Sequence, residues 1–208
     1  MGLLVCGIDP GVHGYFCVVN EAGVIDFRER MPLTGNKICP YGIWTLIKVL
    51  RLRAAEQGRK LIFGIEKVFT MPSDKRSSEL ILALRSEVDV VKVNGILDDL
   101  EKVLKRSDGR VGILSYGIGY GYLVQAAAVT GCRTEVFNPR TWQAEMHKGS
   151  DAALKAKERS MQVFKRLWDE KYLFMEGSKA KKPPDGLVDA ALIAEYTRRL
   201  IAVPLAAT

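Results

Sequence analysis

The sequence predicts an α/β fold: a mixed five-stranded sheet in which an antiparallel meander of the first three strands is extended by parallel strands, flanked by helices and carrying a helical insertion. Three observations lead there. Leu3-Leu4-Val5-Cys6 and Leu61-Ile62-Phe63-Gly64-Ile65 are short apolar runs, each leading to one acid, Asp9 and Glu66, as in strands buried on both faces. Two further strand-like runs follow the first at hairpin distance, between Gly14 and Met31. Segments 41–57, 115–130 and 185–201 have the length and composition of helices.

In Gly7-Ile8-Asp9-Pro10-Gly11 the first strand stops, because Pro and Gly break it, and the Asp9 carboxylate is left at its end. Gly14-Tyr15-Phe16-Cys17-Val18-Val19 is the second strand, Asn20-Glu21-Ala22-Gly23 a hairpin turn, and Val24 to Met31 the third strand. Pro32 to Pro40 reads as a loop. Tyr41 to Gln57 places Ile43, Trp44, Ile47, Leu50 and Ala54 at helical spacing, and Gly58 stops it. The strand that ends at Glu66 returns to the sheet after this helix, which implies a parallel partner for the first strand. As neighbours, the two strands present Asp9 and Glu66 side by side at one edge.

Lys75 to Arg106 has nearly balanced charge, seven bases against six acids. It reads as an insertion, with two helical stretches and a short strand, in a single domain spanning 1–208. Ser115 to Thr130 opens with Gly117, Gly119 and Gly121 and turns Ala-rich. No strand–helix unit with nucleotide-binding spacing precedes these glycines, so the small residues point to close packing rather than to a phosphate loop. Arg133 to Phe137 is a further strand. Asn138 and Pro139 start a helix running from Arg140 to His147. Ser150 or Asp151 is the expected cap of the next helix, which reaches Trp168. Glu176 to Pro184 is a loop, and the last helix spans Asp185 to about Ile201.

Composition narrows the function classes. No apolar run approaches the roughly 20 residues of a membrane span, and the first residues lead straight into a strand, without the pattern of a signal or transit peptide. The four cysteines, Cys6, Cys17, Cys39 and Cys132, form no CxxC pair and no zinc spacing, which favours a reducing compartment. The net charge of +7 points to a polyanionic partner. It is unevenly spread, since ten bases face five acids between Lys148 and Lys182. That stretch is either a solvated helix face or a surface that tracks phosphates.

The chemistry lies in the acids. Asp9 alone is as much a turn cap as a metal ligand. Asp185 and Asp189 stand four apart at the start of the last helix and so share a face. The helix N-terminus favours carboxylates there, and Asp185 after Pro183-Pro184 also suits a capping role. Asp189, however, lies among Ala190-Ala191-Leu192-Ile193-Ala194, positions that must pack on the sheet, and a lone carboxylate there calls for a cation. Four carboxylates, two at strand ends and two on one helical turn, suit an oxygen-only site for two divalent ions about 4 Å apart. The expected cofactor is Mg²⁺, two ions, with Mn²⁺ as substitute.

In that order, Gly7-Ile8-Asp9-Pro10-Gly11, Gly64-Ile65-Glu66-Lys67-Val68-Phe69 and Asp185 to Asp189 with Ala190-Ala191 following resemble the RuvC-type Holliday junction resolvases of the ribonuclease H-like superfamily. Ser115-Tyr116-Gly117-Ile118-Gly119-Tyr120-Gly121 is similar to the glycine-rich start of that family's central helix. Asn138-Pro139-Arg140-Thr141-Trp142, Lys148-Gly149 and Lys157-Glu158-Arg159-Ser160 are similar to its basic DNA-facing segment.

The resemblance covers most of the chain outside 75–106. It implies a ribonuclease H-like domain that forms a homodimer through the helix at about 115–130, binds branched DNA at a four-way junction and nicks two strands symmetrically. It implies Asp9, Glu66, Asp185 and Asp189 as metal ligands and Lys157 as the lysine near the scissile phosphate. Phe69, Arg140, Gln143, Lys148, Lys155, Lys157 and Arg159 would contact DNA. The expected location is the cytoplasm or nucleoid of a bacterial or phage-infected cell, or an organelle after removal of a transit peptide.

Three departures from the family pattern stand out. The acids of the last helix are four apart, as in mitochondrial and phage members, and not three. Gln143 stands where many members carry lysine. The insertion lies between Phe69 and the central helix.

Other readings keep part of this picture. A flap, a fork or an RNA–DNA hybrid would suit the same chemistry, and a junction-binding protein without catalysis would share the basic stretch but not the acidic set. An actin-like ATPase also opens on an Asp-x-Gly turn, but it needs a second, similar lobe, and the chain has no internal repeat.

Overall fold

The structure, a computed structural model, describes residues 2–67, 110–175 and 182–202, with backbone alone for 110–116. Its sheet grows from period-two alternation. In β1 (Leu3–Ile8), Leu4, Cys6 and Ile8 join one core while Val5 joins another on the opposite face. In β2 (Tyr15–Asn20), Phe16 and Val18 face the first core, Tyr15, Cys17 and Val19 the second. β3 (Ile25–Arg30) completes the antiparallel meander. The turn between β2 and β3 is closed by Asn20, whose side chain accepts from the Ala22 and Val24 amides at 3.0 Å, with Gly23 at φ 78°.

The expected loop at 32–40 contains a small ribbon instead, β4 (Leu33–Thr34) paired with β5 (Lys37–Ile38). Strands of two residues carry too little alternation to be read from sequence. The turn between them, Gly35-Asn36 with Gly35 at φ 59°, is the signal that was there to use. Helix α1 (Pro40–Glu56) buries Ile43, Ile47, Leu50 and Ala54. Trp44, counted with them from its spacing, lies at the edge of that stripe and is 37% exposed.

Strand β6 (Lys60–Glu66) pairs parallel with β1 and, on its other side, parallel with β7 (Arg133–Phe137). The five-stranded order is β3-β2-β1-β6-β7. This is the mixed sheet, antiparallel meander plus parallel strands, flanked by helices. Helix α2 (Arg110–Val129) starts earlier than the expected 115, and Gly117, Gly119 and Gly121 lie within it. The packing reading of that run holds at Gly119, where a Cβ would strike Ile38 Cδ1.

Helix α3 (Pro139–Met146) is capped by Asn138, which accepts from the Arg140 amide at 3.0 Å. Helix α4 (Ala156–Leu167) begins four or five residues later than a cap at Asp151 or Ser150 would place it. Those two side chains are used within the preceding turn, Ser150 Oγ donating to the His147 carbonyl at 2.6 Å and Asp151 accepting from the Ala153 amide at 2.9 Å. Glu158 caps α4 instead, accepting from the Lys155 amide at 2.9 Å. A 3₁₀ turn at Glu170–Leu173 precedes α5 (Asp185–Ala202).

Helix α5 is the centre of the second core. Its residues Leu187, Val188 and Ala190–Ala194 are buried against β1 and β2, under Trp142, Val163, Phe164 and Trp168. It approaches the sheet closely because Gly7 and Gly64, paired across β1 and β6, carry no side chain on that face. A Cβ at Gly7 would overlap the Ala190 carbonyl and Ala194 backbone, and one at Gly64 would overlap Thr197 Oγ1.

The chain divides into two compact units, Met1–Lys67 with Gly119–Thr208, and Val68–Ile118. The sheet belongs to the first. The expected insertion at 75–106 and the side chain of Phe69 lie outside the described residues. Among the described residues, no helix is long and apolar enough to cross a membrane.

Gly7→Val is expected to cost more than about 3 kcal/mol or to abolish folding, because the backbone of α5 and not a flexible side chain must move; Gly64→Val, which meets the Thr197 and Ile193 side chains, is expected to cost about 1–3 kcal/mol. Gly121→Ala, where a Cβ meets nothing, is expected to stabilise by up to about 1 kcal/mol through helix propensity. Urea titrations followed by circular dichroism measure both.

Candidate metal centre

The register of β1 on β6 decides where the first two acids go. Gly7 stands opposite Gly64 and Ile8 opposite Ile65, so Asp9 and Glu66 leave the sheet side by side, on the face that α5 covers. The Asp9 turn is tied down by its own backbone, with the Asp9 amide donating to the Tyr15 carbonyl at 3.1 Å and the Gly14 amide to the Gly11 carbonyl at 2.8 Å. Asp9 Oδ1 accepts only a long bond from the Gly11 amide, 3.4 Å, and a turn cap would be held more closely.

The first turn of α5 sits directly on this loop at Gly186. A Cβ there would fall 2.7 Å from Asp9 Oδ2 and onto the His13 carbonyl. Gly186 thus brings Asp189, one turn on, to the two strand-end carboxylates.

Asp9, Glu66 and Asp189 each keep a window to solvent while protein surrounds the rest, and all three hold their protons more tightly than usual. Burial pushes Asp9 up to about 7, with repulsion from Glu66 and Asp189 adding to it. Burial pushes Glu66 up to about 6 against the hydrogen bond from Trp142, and Asp189 repels it further. Burial likewise raises Asp189 to about 6, with repulsion from Asp185 adding to it, although Lys157 attracts it. In all three, burial and like charge outweigh the positive charge within reach.

Glu195 on the same helix shows what a buried acid looks like when the fold supplies its own cations. It is 3% exposed, and Arg198 and Arg199 each reach it at 2.7 Å. Burial pushes its carboxyl up, but the two guanidinium groups more than offset this and hold it below the usual range.

Asp185 stands apart from the three. It is exposed, and Lys157 Nζ donates to its Oδ2 at 2.6 Å. That ion pair raises the lysine, and Asp189 and Asp9 add weaker attraction. The ammonium therefore stands in for a cation at the outer side of the cluster. Among the described residues, no three His, Cys, Asp or Glu side chains are already gathered as ligands of one ion. The donors are all carboxylate oxygens, which fits a hard divalent cation.

One supporting residue escaped the sequence reading. Trp142 donates from Nε1 to Glu66 Oε2 at 2.8 Å. An indole whose N–H must find an acceptor when buried was the available signal for it.

The expected DNA-contacting residues are only partly free. Arg140 and Lys155 are exposed and Gln143 is half-buried. Lys148 pairs with Glu145 at 2.6 Å. Arg159 is half-buried, donating to Ser150 Oγ at 2.9 Å and to the His147 carbonyl at 3.3 Å. Arg166 reaches the carbonyls of Gly149 and Lys148. Part of the basic stretch thus holds the 147–150 turn in place.

No protein-family model matches the chain, and no curated protein does. Among solved structures it is similar to RuvC of T. thermophilus in complex with a Holliday junction substrate, at 12% sequence identity and a TM-score of 0.45, covering 95% of this chain and 96% of that one.

The raised carboxyls make the native state bind more protons than the unfolded state between about pH 4 and pH 7, so stability falls as pH rises through that window. In metal-free protein at pH 8, Asp9→Asn is expected to stabilise by on the order of 2 kcal/mol, a tenfold change in proton affinity being about 1.4 kcal/mol. The gain shrinks toward zero at pH 4. Denaturant titrations at both pH values, with chelator present, measure it. A loss at pH 8 instead would mean that Asp9 is a structural cap.

Proposed function

We propose that this chain is a metal-dependent, structure-selective DNA endonuclease that resolves four-way junctions by phosphodiester hydrolysis, with Asp9, Glu66 and Asp189 as the inner ligands of divalent magnesium and Asp185 as the outer one. The observation that carries this reading is the set of three partly buried carboxylates that burial and like charge hold up to about 6 to 7, one of them on a helix whose other buried acid has two arginines. A fold that neutralises one acid internally and leaves three adjacent ones without a fixed cation is arranged to take a cation from solution.

Asp9 is central, since both Glu66 and Asp189 act on it and its Oδ2 faces the start of α5. It is the carboxylate that would be shared by ions held at this cluster. Glu66 has one oxygen fixed by Trp142 and, among the described residues, no hydrogen bond to the other. Divalent magnesium, if held by these residues, would supply charge to neutralise the phosphodiester and lower the pKa of a water. In hydrolysis the water oxygen bonds to phosphorus, one P–O ester bond breaks, and the departing oxygen takes a proton. Lys157 is placed to follow that charge. Its pair with Asp185 is exposed, and solvent screens such pairs so that they contribute little, which leaves the ammonium able to move to an incoming phosphate.

DNA would lie across this edge, contacted by Arg140, Gln143, Lys148, Lys155 and the outer donors of Arg159, with Phe69 as the aromatic at the junction. Two copies would pair through the outer face of α2, where Gly121, Gln125, Ala128 and Val129 are exposed, and so deliver two sites for paired nicks. The single ribonuclease H-like domain and its insertion belong to this same reading.

The test uses a synthetic four-way junction, a flap, a linear duplex and an RNA–DNA hybrid, each with Mg²⁺, Mn²⁺ or chelator. Symmetric paired nicks on the junction alone are expected, abolished by chelator. Asp9→Asn should slow them by about 1000-fold or more while junction binding persists, the loss matching several kcal/mol of transition-state stabilisation. Tight junction binding with no cleavage under any metal would overturn the enzyme in favour of a structural junction binder. Preferential cleavage of the flap or the hybrid would reassign the substrate.

A further inference from the structure

Two indoles are buried in the core around α5, Trp142 and Trp168, and their N–H groups are used differently. An indole N–H donates only, and once buried it must find an acceptor. Trp168 uses a backbone carbonyl, that of Gly23, at 2.7 Å. Trp142 uses a carboxylate of the candidate site, Nε1 donating to Glu66 Oε2 at 2.8 Å. A carbonyl satisfies a buried indole as well as a carboxylate does, so packing alone does not call for Glu66 in that place.

The backbone brings this indole to Glu66 and leaves it little freedom. Glu66 is the register partner of Phe137 across β6 and β7, and the Lys67 amide donates to the Phe137 carbonyl at 2.7 Å. Asn138 follows at once as the cap of α3, so Trp142 stands one turn into a helix that starts beside the end of β6. Its ring belongs to the core that contains Val163 and Phe164 and meets the His147 ring edge to face, centroids 6.2 Å apart. A ring packed at interior density cannot follow a carboxylate that turns, so the carboxylate is held to the ring. Asp9, by contrast, has the 3.4 Å bond from the Gly11 amide of its own loop.

We infer, on the metal-site reading above, that Trp142 is a positioning residue that sets which divalent cation the site prefers: by holding Oε2 of Glu66 it leaves Oε1 to an ion, in one fixed direction, which suits Mg²⁺ or Mn²⁺ over Ca²⁺. Mg²⁺ demands near-octahedral geometry from about six oxygens, whereas Ca²⁺ takes about six to eight and accepts both oxygens of one carboxylate. Mn²⁺ takes octahedral oxygen sites as Mg²⁺ does. A Glu66 released from the indole could turn and offer both oxygens, which favours the larger ion. The hydrogen bond also favours the charged form of Glu66, the form that binds a cation.

Mn²⁺ and Ca²⁺, each titrated alone into the full chain by calorimetry, test this without DNA or turnover. Trp142→Phe keeps an aromatic ring and removes the donor. It should weaken the Asp9-dependent binding of Mn²⁺ by about 10-fold, the usual size for losing a donor behind a ligand. Ca²⁺ binding should stay within about 2-fold, because Ca²⁺ tolerates a looser ligand. The preference for Mn²⁺ over Ca²⁺ therefore shrinks. A role in packing alone would lower the melting temperature and leave that ratio as it was, so an unchanged or widened ratio would overturn the positioning role while the metal site stands. Should Trp142→Phe fail to fold, the indole N–H resonance of Trp142 in the unsubstituted protein decides. It should shift on saturation with Mg²⁺ and stay protected from solvent exchange, and lose protection with Ca²⁺. A resonance that ignores both ions, or answers both alike, would overturn the positioning role. Unsubstituted protein with no Asp9-dependent binding of either ion would overturn the metal site itself, and the positioning role with it.

Discussion

The close seating of α5 on the sheet is the constraint from which the rest follows. Gly7 and Gly64 are register partners on adjacent parallel strands, and both lie under the helix. Because side chains on a strand repeat every two residues, the acids two positions on, Asp9 and Glu66, emerge on that same face. The helix that can come this near must start just beyond the sheet edge, and Gly186 lets its first turn rest on the Asp9 loop. Asp189 is then carried into the cluster by the pitch of the helix alone. Three glycines and one helical turn make the site.

The electrostatic consequence is a folded protein that works against itself at one point. Asp9, Glu66 and Asp189 repel one another in partly desolvated surroundings, and Lys157, which attracts Asp9 and Asp189, is engaged mainly by Asp185. The remainder of the second core is built to withstand this. Trp142, Val163, Phe164 and Trp168 bury the helix from above. Trp168 also donates to the Gly23 carbonyl at 2.7 Å, linking that layer to the meander turn. Functional sites commonly carry such local cost, with stability supplied elsewhere in the fold.

The basic stretch has a divided role. Arg159 and Arg166 hold the 147–150 turn through its carbonyls, and the turn in turn places His147. Lys157, eight positions after Gly149, remains exposed at the rim. Net charge along a segment therefore overstates the charge offered to a partner, because some of it is spent on shape.

Much of the fold was legible in the sequence for local reasons. Apolar runs ending in acids marked β1 and β6, Asn20 to Gly23 marked the hairpin, and Asn138-Pro139 marked the start of α3. The ribbon at 33–38 was not legible because two-residue strands have no period. The start of α4 was misjudged because Ser150 and Asp151, good caps by type, are used by their own turn. Of the site, the sequence by itself determined the four acids, their order, and the helical pairing of Asp185 with Asp189, since each depends only on near neighbours in the chain. Only the tertiary structure decided that Asp9, Glu66 and Asp189 come together in partly buried surroundings while the exposed Asp185 pairs with Lys157, and that Trp142 stands behind Glu66. Those facts depend on how closely a helix approaches a sheet, a distance set by atoms absent from glycines far apart in sequence.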